Sequence, residues 1–461
     1  MTRDAHDHDY DYLVIGAGSA GVRSARIAAT LGARVAVVEE ARPGGTCVNV
    51  GCIPKKLFAY AGRYGDALHE AAGFGWQVGE PRFDWPTLRA NKDAEIARLN
   101  GVYERILANA GVTLIRGRAV FVDPHAVEVD GRRVSARRFL VATGGTPVRL
   151  DIPGAEHAIV SDDLFAMESL PQRVTIIGAG YIGLEFASFL HEVGCTVDLV
   201  HRNHHVLRGF DVDVREHVTE ELRRRGVRMH PEHEIDRIVR QGDGSLEVRI
   251  KDTGETFVTD AVLMATGRAP NTRGLGLEAV GVALDGRGAV VVDDGYCSTV
   301  PHILAAGDVI DRVALTPIAI SEGHAIALQL YGTEERVVRY DVIPTAVFCT
   351  PEVGTVGLTE EEAVERCGGA VDIYRETFVP LRHRLTGRDT KVLMKLVVDS
   401  QSKRVLGAHM VGDDAAEIVQ TFALALSAGL TMDQLQATVA LHPSTAEEWV
   451  FMRTPQPPRQ N

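Results

Sequence analysis

The fold is decided by the stretch Tyr12-Leu13-Val14-Ile15-Gly16-Ala17-Gly18-Ser19-Ala20-Gly21 near the start of the chain. Its first four residues are apolar, as in a buried strand, and a Gly-x-Gly-x-x-Gly pattern follows. A helical run then extends to about Leu31, and a second apolar strand ends at Glu39. Glycines in this arrangement let a pyrophosphate approach the backbone and the helix N-terminus, and the acid can hold ribose hydroxyls. The stretch therefore predicts a dinucleotide-binding fold.

The same pattern returns in the middle of the chain. Val174 to Ile177 reads as a strand, and Gly178-Ala179-Gly180-Tyr181-Ile182-Gly183 follows it. The next strand, Thr196 to Val200, ends in His201-Arg202 instead of an acid, with Arg208 six residues further on. An acid there would hold a free 2′-hydroxyl, whereas arginines suit a 2′-phosphate. We therefore expect Arg202 and Arg208 to bind NADPH; the alternative is that both are solvated surface charges.

Between the two fingerprints lies a cysteine pair, in Gly44-Gly45-Thr46-Cys47-Val48-Asn49-Val50-Gly51-Cys52-Ile53-Pro54-Lys55-Lys56. A disulfide needs Cα atoms about 4.4–6.8 Å apart, whereas five residues of ideal helix rise about 7.5 Å. A bonded pair therefore requires a distorted turn into a helix, for which Gly51 supplies the freedom to bend. Cys52 would lie at a helix N-terminus beside two lysines, which lowers its pKa. The pattern favours a redox disulfide over two unrelated core cysteines.

Apolar strands and glycine turns predict four segments in this α/β chain of 461 residues. We expect a first dinucleotide-binding part in residues 1–150 and a second dinucleotide-binding domain in 151–272. The first domain resumes in 273–340, so that Asp308, after the strand Ile303 to Ala306, returns to the first nucleotide. Residues 341–461 have no glycine fingerprint, and their mixed strands and helices predict an α+β interface domain.

Composition limits the partners. The formal charge of -13 argues against nucleic acid and anionic membranes as partners, so an anionic substrate would need a locally basic site. Six cysteines are too few for a disulfide scaffold and fit a reducing cytoplasm with one special pair. The polar, acidic N-terminus is no signal peptide, and no apolar run is long enough for a membrane span. Its His/Asp tail is more typical of a frayed terminus than of a weak metal site, and we predict no metal.

Near the C-terminus, the stretch His442-Pro443-Ser444-Thr445-Ala446-Glu447 suggests an acid–base group. Pro443 suits the first turn of a helix. Glu447 lies just over a turn later and can reach back to orient the His442 ring. An oriented imidazole beside a thiol is a general acid–base arrangement.

Two nucleotide folds and one cysteine pair define an electron path. One dinucleotide delivers a hydride, and the disulfide accepts two electrons. Hydride does not pass readily to a disulfide directly, so a carrier is needed, and a flavin is the usual one. We therefore expect FAD in the first fold and a nicotinamide in the second.

Over nearly its whole length the chain resembles the flavin-dependent pyridine nucleotide–disulfide oxidoreductases, most closely those that reduce glutathione disulfide. The likeness is carried by the cysteine stretch, by Gly-Ala-Gly-Tyr-Ile-Gly-Leu-Glu, by Ala-Gly-Asp-Val and by His-Pro-Ser-Thr-Ala-Glu-Glu. It implies that Cys52 lies against the flavin as the charge-transfer thiolate and that Cys47 attacks the substrate. His442, paired with Glu447, would protonate the leaving thiol.

The resemblance also implies the other site residues. Lys55 and Glu185 would pair near the flavin, Tyr181 would cover the nicotinamide pocket, and Asp308 would bind the ribityl-phosphate region of FAD. Arg26 and Tyr103 match positions that contact glutathione. The third domain would form a two-fold homodimer and donate the histidine across its interface. The cofactor-binding residues that the resemblance implies are Gly16, Gly18, Ser19, Gly21, Glu39, Thr46, Lys55, Gly144, Asp308, Thr316, Gly178, Gly180, Gly183, Arg202, Arg208 and Arg268.

Other activities of this fold remain open. Lipoamide dehydrogenases commonly have Gly at the position of Gly183, but they usually read Ile-Pro-Ser-Lys where this chain has Ile-Pro-Lys-Lys. Large thioredoxin reductases and mercuric reductases would want cysteines near the C-terminus, and residues 455–461 contain none. Reduction of a modified glutathione remains possible. A non-catalytic flavoprotein or redox sensor would not need His442 and Glu447.

Overall fold

The computed structural model describes residues 8–334 and 336–459. They divide into two compact units. The first contains the chain up to Lys55 together with Pro86–Val148 and Gly267–Val338, and the second contains Lys56–Trp85, Arg149–Thr266 and the chain from Arg339 onward. The functional domain limits 1–150, 151–272, 273–340 and 341–461 stay a prediction, because compactness alone does not define a binding domain.

The elements of the N-terminal third carry the first fingerprint and the cysteine pair. The strands are β1 (Tyr10–Ile15), β2 (Val35–Glu39), β3 (Thr113–Arg116), β4 (Ala119–Asp123), β5 (Ala126–Val129), β6 (Arg132–Val141) and β7 (Gly145–Pro147). The helices are α1 (Ser19–Thr30), α2 (Gly45–Val50), α3 (Cys52–Glu70) and α4 (Trp85–Asn109).

The rest of the chain follows in three stretches. Up to Thr266 there are β8 (Ile159–Val160), α5 (Ser161–Leu164), β9 (Arg173–Ile177), α6 (Tyr181–Glu192), β10 (Thr196–His201), α7 (Val212–Arg225), β11 (Arg228–Pro231), β12 (Ile235–Arg240), β13 (Leu246–Ile250), β14 (Thr256–Thr259) and β15 (Ala261–Met264). Then come β16 (Arg268–Pro270), β17 (Ile303–Ala305) and α8 (Thr316–Tyr331). The last stretch has β18 (Thr345–Val347), β19 (Val353–Gly357), α9 (Glu360–Arg366), β20 (Val371–Phe378), α10 (Leu381–Thr386), β21 (Val392–Asp399), β22 (Val405–Val411), α11 (Ala415–Ser427), α12 (Met432–Ala437) and α13 (Glu448–Phe451).

The first unit is built around a sheet with strand order β3-β2-β1-β6-β5-β4, to which β17 adds beside β6. Strands β3, β2, β1, β6 and β17 run parallel, and β5 and β4 continue the sheet antiparallel. Of these, β1, β2 and β17 are almost wholly buried, as is typical of parallel strands that helices cover. Their carboxyl ends share one edge, where ligands bind in open α/β sheets. The first fingerprint, Glu39 and Asp308 all lie at or just beyond this edge.

The second unit contains a parallel sheet in the order β11-β10-β9-β15-β8, and a three-stranded antiparallel sheet, β12-β13-β14, follows β11 in the chain. The unit also contains an antiparallel sheet in the order β18-β19-β22-β21-β20, and α11 packs on its β19 and β22 strands. Met394, Met410 and Val419 are among its buried residues. The α/β class predicted from the sequence, with two dinucleotide-binding folds followed by an α+β domain, is confirmed.

A buried ion cluster joins two parts of the second unit. Lys395 Nζ on β21 lies 2.8 Å from Asp211 Oδ1, 2.6 Å from Asp213 Oδ2 and 2.6 Å from Glu360 Oε2, and all four side chains are at most 4% exposed. Asp211 also caps α7, where its carboxylate accepts from the Asp213 amide. Burial of Lys395 opposes its charge, but the carboxylates outweigh burial and raise its pKa. The ammonium therefore stays charged and, together with Arg375 and Arg459, which pair with Asp213, balances the three buried carboxylates.

We predict that Lys395→Met destabilises the second unit strongly. Removing one member of a buried ion group costs about 3–5 kcal/mol, since the remaining charges lose their partner. The midpoint of thermal unfolding should fall by several degrees. The matched control is Lys403→Met, because the side chain of Lys403 is 46% exposed and forms a surface ion pair with Asp372, 3.0 Å away. Equal losses in the two variants would contradict a special role for the buried cluster.

Candidate active site

The two cysteines lie on either side of a break between helices. Cys47 is in α2 and Cys52 is the first residue of α3, with Gly51 between the helices. A Cβ atom at Gly51 would lie 2.7 Å from the Thr46 carbonyl oxygen, so the corner is too tight for a side chain. The bend predicted at Gly51 and the helix N-terminus predicted at Cys52 are both present.

Hydrogen bonding to Cys52 is the largest cause that raises the pKa of Cys47, and burial adds to it. Thr316 and Lys55 oppose that shift. On its other side, Cys52 Sγ lies 3.5 Å from Thr316 Oγ1, at the start of α8. The proton of Cys47 is therefore harder to remove than that of an isolated thiol. The lowered pKa expected for Cys52 stays a prediction.

The first fingerprint forms an open helix N-terminus. Gly18 caps α1 without any side-chain hydrogen bond, and Ser19 begins the helix. A Cβ atom at Gly21 would lie 1.9 Å from the Gly16 carbonyl oxygen, so only glycine lets α1 start this close to the turn. Backbone amides here point toward a site for an anion, which fits a pyrophosphate.

At the end of β2, the Glu39 carboxylate is fixed by two backbone amides. Its oxygens accept hydrogen bonds from the Ala17 amide at 2.7 Å and the Ala41 amide at 2.8 Å. The acid is therefore positioned directly beside the glycine turn, where a ribose would lie next to the pyrophosphate.

Arg268 contacts other predicted cofactor-binding residues of the first unit. Its guanidinium donates to Thr46 Oγ1 at 3.3 Å and to the Gly145 carbonyl oxygen, next to Gly144 in the turn after β6. Burial raises the pKa of Asp308, and the nearby Arg268 opposes that shift. The structure thus brings together Thr46, Arg268 and Asp308 at one edge of the sheet.

The second fingerprint repeats the geometry in the second unit. Gly180 caps α6 without a side-chain hydrogen bond, and a Cβ atom there would meet nothing within 4 Å. A Cβ atom at Gly183 would lie 2.0 Å from the Gly178 carbonyl oxygen. Tyr181 begins α6 and is 40% exposed, whereas Glu185, one turn later, is buried and accepts from the Phe348 amide at 3.0 Å.

The end of β10 carries the predicted phosphate-binding arginines. Arg202 and Arg208 are both exposed, and Arg202 Nη1 lies 3.8 Å from Glu234 Oε1. His201, which stands before them, is 4% exposed, and burial lowers its pKa to about 4. The buried imidazole is therefore neutral at pH 7, and the positive charge at this strand end comes from the arginines.

His442 is held by Glu447, as predicted. The Nδ1 atom lies 3.2 Å and 3.1 Å from the two carboxylate oxygens, while 81% of the imidazole side chain is exposed. The prediction that Pro443 starts a helix is wrong. A short 3-10 helix, Thr445–Glu447, begins two residues later, and Ser444 caps it: the Ser444 hydroxyl accepts from the Glu447 amide, and the Glu447 carboxylate accepts from the Ser444 amide. This reciprocal cap fixes the carboxylate that orients the ring.

The predicted substrate residues lie in the first unit. Arg26 is on α1 and Tyr103 is on α4. Burial is the main cause that raises the pKa of Tyr103, and the charge of Cys47 raises it further. Tyr103 therefore lies near the cysteine pair.

Within residues 8–334 and 336–459, no group of three or more His, Cys, Asp or Glu side chains could hold a metal ion. The first seven residues of the His/Asp tail lie outside the described residues. None of the described helices is long and apolar enough to cross a membrane.

Comparison with known proteins identifies the family. The pyridine nucleotide-disulphide oxidoreductase family matches residues 10–323, and its dimerisation domain matches residues 343–453. The chain belongs to this family. Membership makes the protein a disulfide oxidoreductase and implies a flavin and a pyridine nucleotide as cofactors, which fits the two open helix N-termini.

Three curated relatives cover almost the whole chain, and all are named glutathione reductase. The protein from Burkholderia cepacia is 48% identical over 446 residues, which is 97% of this chain and 99% of the relative. The protein from Nostoc sp. is 43% identical over 457 residues, covering 96% and 99%. The chloroplastic/mitochondrial protein of Pisum sativum is 46% identical over 463 residues, covering 98% and 83%.

Two features of this oxidoreductase were missed by sequence reasoning. Lys56 has a partner of its own, since its ammonium lies 3.7 Å from Glu352 Oε1 and over the Phe348 ring. Arg23, one turn before Arg26 on α1, also belongs to the surroundings of Tyr103, because its charge lowers the Tyr103 pKa. The i, i+3 spacing of Arg23 and Arg26 was the only available signal.

Proposed function

We propose that this protein reduces glutathione disulfide with NADPH, using bound FAD and the Cys47–Cys52 pair. The observation that carries the proposal is the hydrogen-bonded cysteine pair across the Gly51 corner, between an uncapped nucleotide-binding helix and Thr316. The relatives named glutathione reductase support the choice of substrate. When bound, FAD supplies two-electron transfer between the nicotinamide and the disulfide.

The binding residues divide between the cofactors. FAD would be held by the first fingerprint, with Glu39 on its ribose, Asp308 near its ribityl-phosphate region and Thr46, Gly144, Arg268 and Thr316 along the same edge. NADPH would be held by Gly178, Gly180 and Gly183, with Tyr181 over its nicotinamide. Lys55 and Glu185 would serve as a pair near the flavin.

The chain's own groups then carry the substrate chemistry. After reduction, Cys47 as thiolate attacks one sulfur of glutathione disulfide, forms a mixed disulfide and releases one glutathione. Cys52 then attacks the Cys47 sulfur, which restores the enzyme disulfide and releases the second glutathione. The two electrons of the dithiol thus appear in two product thiols.

The raised pKa of Cys47 creates the need for a base. A thiol is a poor nucleophile until it is deprotonated, and a histidine oriented by a carboxylate can take the proton and later give it to the leaving thiolate. His442 has this arrangement, since Glu447 holds Nδ1 and the rest of the ring is exposed. We propose that it acts on the cysteines of the second subunit of a homodimer.

The cellular compartment that we propose follows from the cysteine content of the chain. Six cysteines in 461 residues are too few for a disulfide scaffold, and four of them are scattered outside the redox pair. We therefore propose a reducing compartment, the cytoplasm, as the site of action.

A steady-state panel tests the proposed substrate and cofactor. Glutathione disulfide, lipoamide and modified glutathione disulfides are each assayed with NADPH and with NADH. We expect the highest kcat/KM with glutathione disulfide and NADPH. Faster turnover of lipoamide with NADH would instead indicate a lipoamide dehydrogenase. The variant Cys47→Ser should abolish turnover of either substrate.

We predict that the double variant Arg202→Gln/Arg208→Gln loses NADPH preference. A hydrogen bond to a charged group contributes about 1.5–3 kcal/mol, so the KM for NADPH should rise roughly tenfold or more, while the KM for NADH changes little. The double variant Arg237→Gln/Arg249→Gln removes the same charge from β12 and β13, where both arginines share Asp236. Equal effects on both cofactors would rule out a 2′-phosphate role for Arg202 and Arg208.

We predict that the active site is shared between two chains. Cys47→Ser and His442→Ala should each give a nearly inactive homodimer. After the two variants are unfolded and refolded together in equal amounts, about half of the dimers should be mixed, and each mixed dimer has one intact site. Roughly a quarter of wild-type activity should then return. If the mixture stays inactive although mass measurement confirms mixed dimers, the two residues act within one chain.

A further inference from the structure

Two histidines lie between the arginines proposed to bind the 2′-phosphate of NADPH. The loop after β10 reads Arg202-Asn203-His204-His205-Val206-Leu207-Arg208. We call His204 and His205 the histidine pair. Their rings meet edge to face, with centroids 4.5 Å apart and an angle of 79° between the planes. The proposed binding of NADPH uses the arginines and leaves these two imidazoles without a role.

Hydrogen bonds hold the histidine pair at the nucleotide edge of the second unit. The Leu207 amide donates to the Ala179 carbonyl oxygen at 2.9 Å, which joins the loop to the glycine turn of the second fingerprint. The Val206 amide donates at 3.3 Å to Thr219 Oγ1 on α7. The loop is therefore fixed between the fingerprint and α7, and a charge on either imidazole acts on an anion bound at this edge.

A carboxylate faces each ring of the histidine pair from a neighbouring element. His204 Nδ1 lies 3.4 Å from Glu232 Oε2, just after β11, and the His204 side chain is 69% exposed. His205 Nε2 lies 3.9 Å from Glu216 Oε1 on α7, and the His205 side chain is 25% exposed. A nearby carboxylate favours a protonated imidazole, and solvent can reach both rings. Both rings can therefore exchange a proton with water.

Cations on the neighbouring elements oppose this protonation. Burial is the largest cause that lowers the pKa of His205, His204 lowers it further, and Glu216 opposes the shift. Arg215 and Arg223 on α7 act in the same direction as His204. A charge on one ring of the histidine pair thus makes a charge on the other less favourable. The pair gains charge gradually as the pH falls, and a bound anion would favour that gain.

The remaining charged groups around the histidine pair lie on β10 and β11. His201 on β10 is buried, and its lowered pKa keeps it neutral at pH 7. His230 Nε2 on β11 lies 2.8 Å from Asp198 Oδ1, and Arg228 Nη1 lies 3.8 Å from the other oxygen of that carboxylate. The carboxylate of Asp198 is therefore shared by two basic side chains and does not contact the histidine pair.

We propose that protonation of the histidine pair strengthens binding of the 2′-phosphate, so that the preference for NADPH over NADH increases as the pH falls. The inference rests on the proposed function and adds regulation to that same site. An imidazole changes its charge between about pH 5 and 8, whereas a guanidinium stays charged. A bound dianion favours the charged imidazole, so binding takes up protons and weakens as the pH rises. The arginines supply a constant attraction, and the histidine pair supplies one that depends on pH.

The test measures binding of two nucleotides that differ only in the 2′-phosphate, adenosine 2′,5′-bisphosphate and adenosine 5′-monophosphate. Calorimetric titrations of the whole protein with FAD bound are made at about pH 8 and about pH 6.5, because a phosphate stays largely a dianion above about pH 6. The Kd of wild type for the bisphosphate should fall roughly three- to tenfold at the lower pH, since unit charges a few ångströms apart in water give a factor of this size. The Kd for the monophosphate should change much less. Titrations in two buffers with different heats of ionisation should show proton uptake with the bisphosphate.

Three variants separate the charge of the histidine pair from its structural effect. His204→Gln/His205→Gln should bind the bisphosphate equally at both pH values, without the proton uptake. His204→Lys/His205→Gln carries a fixed charge and should bind it tightly at both. The control His157→Gln removes another imidazole of the second unit, one that lies 3.8 Å from Glu156, and should behave as wild type.

The results that overturn the inference differ from those that overturn the proposed function. If wild type prefers the bisphosphate equally at both pH values, or if His204→Gln/His205→Gln keeps the pH dependence, the inference is wrong and the proposed choice of NADPH stands. If wild type does not prefer the bisphosphate at either pH, the proposed choice of NADPH fails first, and the inference fails with it.

Discussion

The break between α2 and α3 at Gly51 is the constraint on which the chemistry depends. The corner leaves no space for a Cβ atom, because the Thr46 carbonyl oxygen would lie 2.7 Å away. It places Cys47 and Cys52 in hydrogen-bonding contact, and that contact raises the pKa of Cys47. A proton held on the attacking sulfur must be removed by another group, so the same geometry that allows a disulfide also requires a base. In the proposed mechanism, His442, which Glu447 holds, is that base.

Much of the site could be predicted because its signals are local. Strand, glycine turn, helix and acid follow one another within about thirty residues, and backbone contacts such as that between Gly21 and the Gly16 carbonyl oxygen depend on those residues alone. The pairing of His442 with Glu447 is equally local. The wrong prediction at Pro443, which was expected in the first turn of a helix, also concerned neighbouring residues. The next residue, Ser444, is the cap, because its hydroxyl can accept from a backbone amide.

The remaining features could not be predicted because they join residues distant in sequence. Lys395 and its three carboxylates come from β21 and from the first residues of two helices, so nothing in a sequence window marks them as buried. Lys56 looked like a neighbour of Cys52, but a buried glutamate almost 300 residues later is its ion-pair partner. The grouping of Arg23, Arg26, His324 and Arg336 depends on where α8 crosses α1, and the sequence indicates that crossing only by Gly323.

The residues around Lys395 and those around Arg23 differ in how their positive charges are balanced. Around Lys395, three carboxylates within 3 Å compensate the buried ammonium, and Arg375 and Arg459 pair with Asp213 to balance the remaining negative charge. Around Arg23, no described carboxylate compensates three guanidinium groups and an imidazole, and both Arg23 and His324 have lowered pKa values. A protein that carries -13 overall has ample acidic residues for such pairing. Among the described residues, the placement of the carboxylates, and not the overall composition, therefore decides which cations are paired.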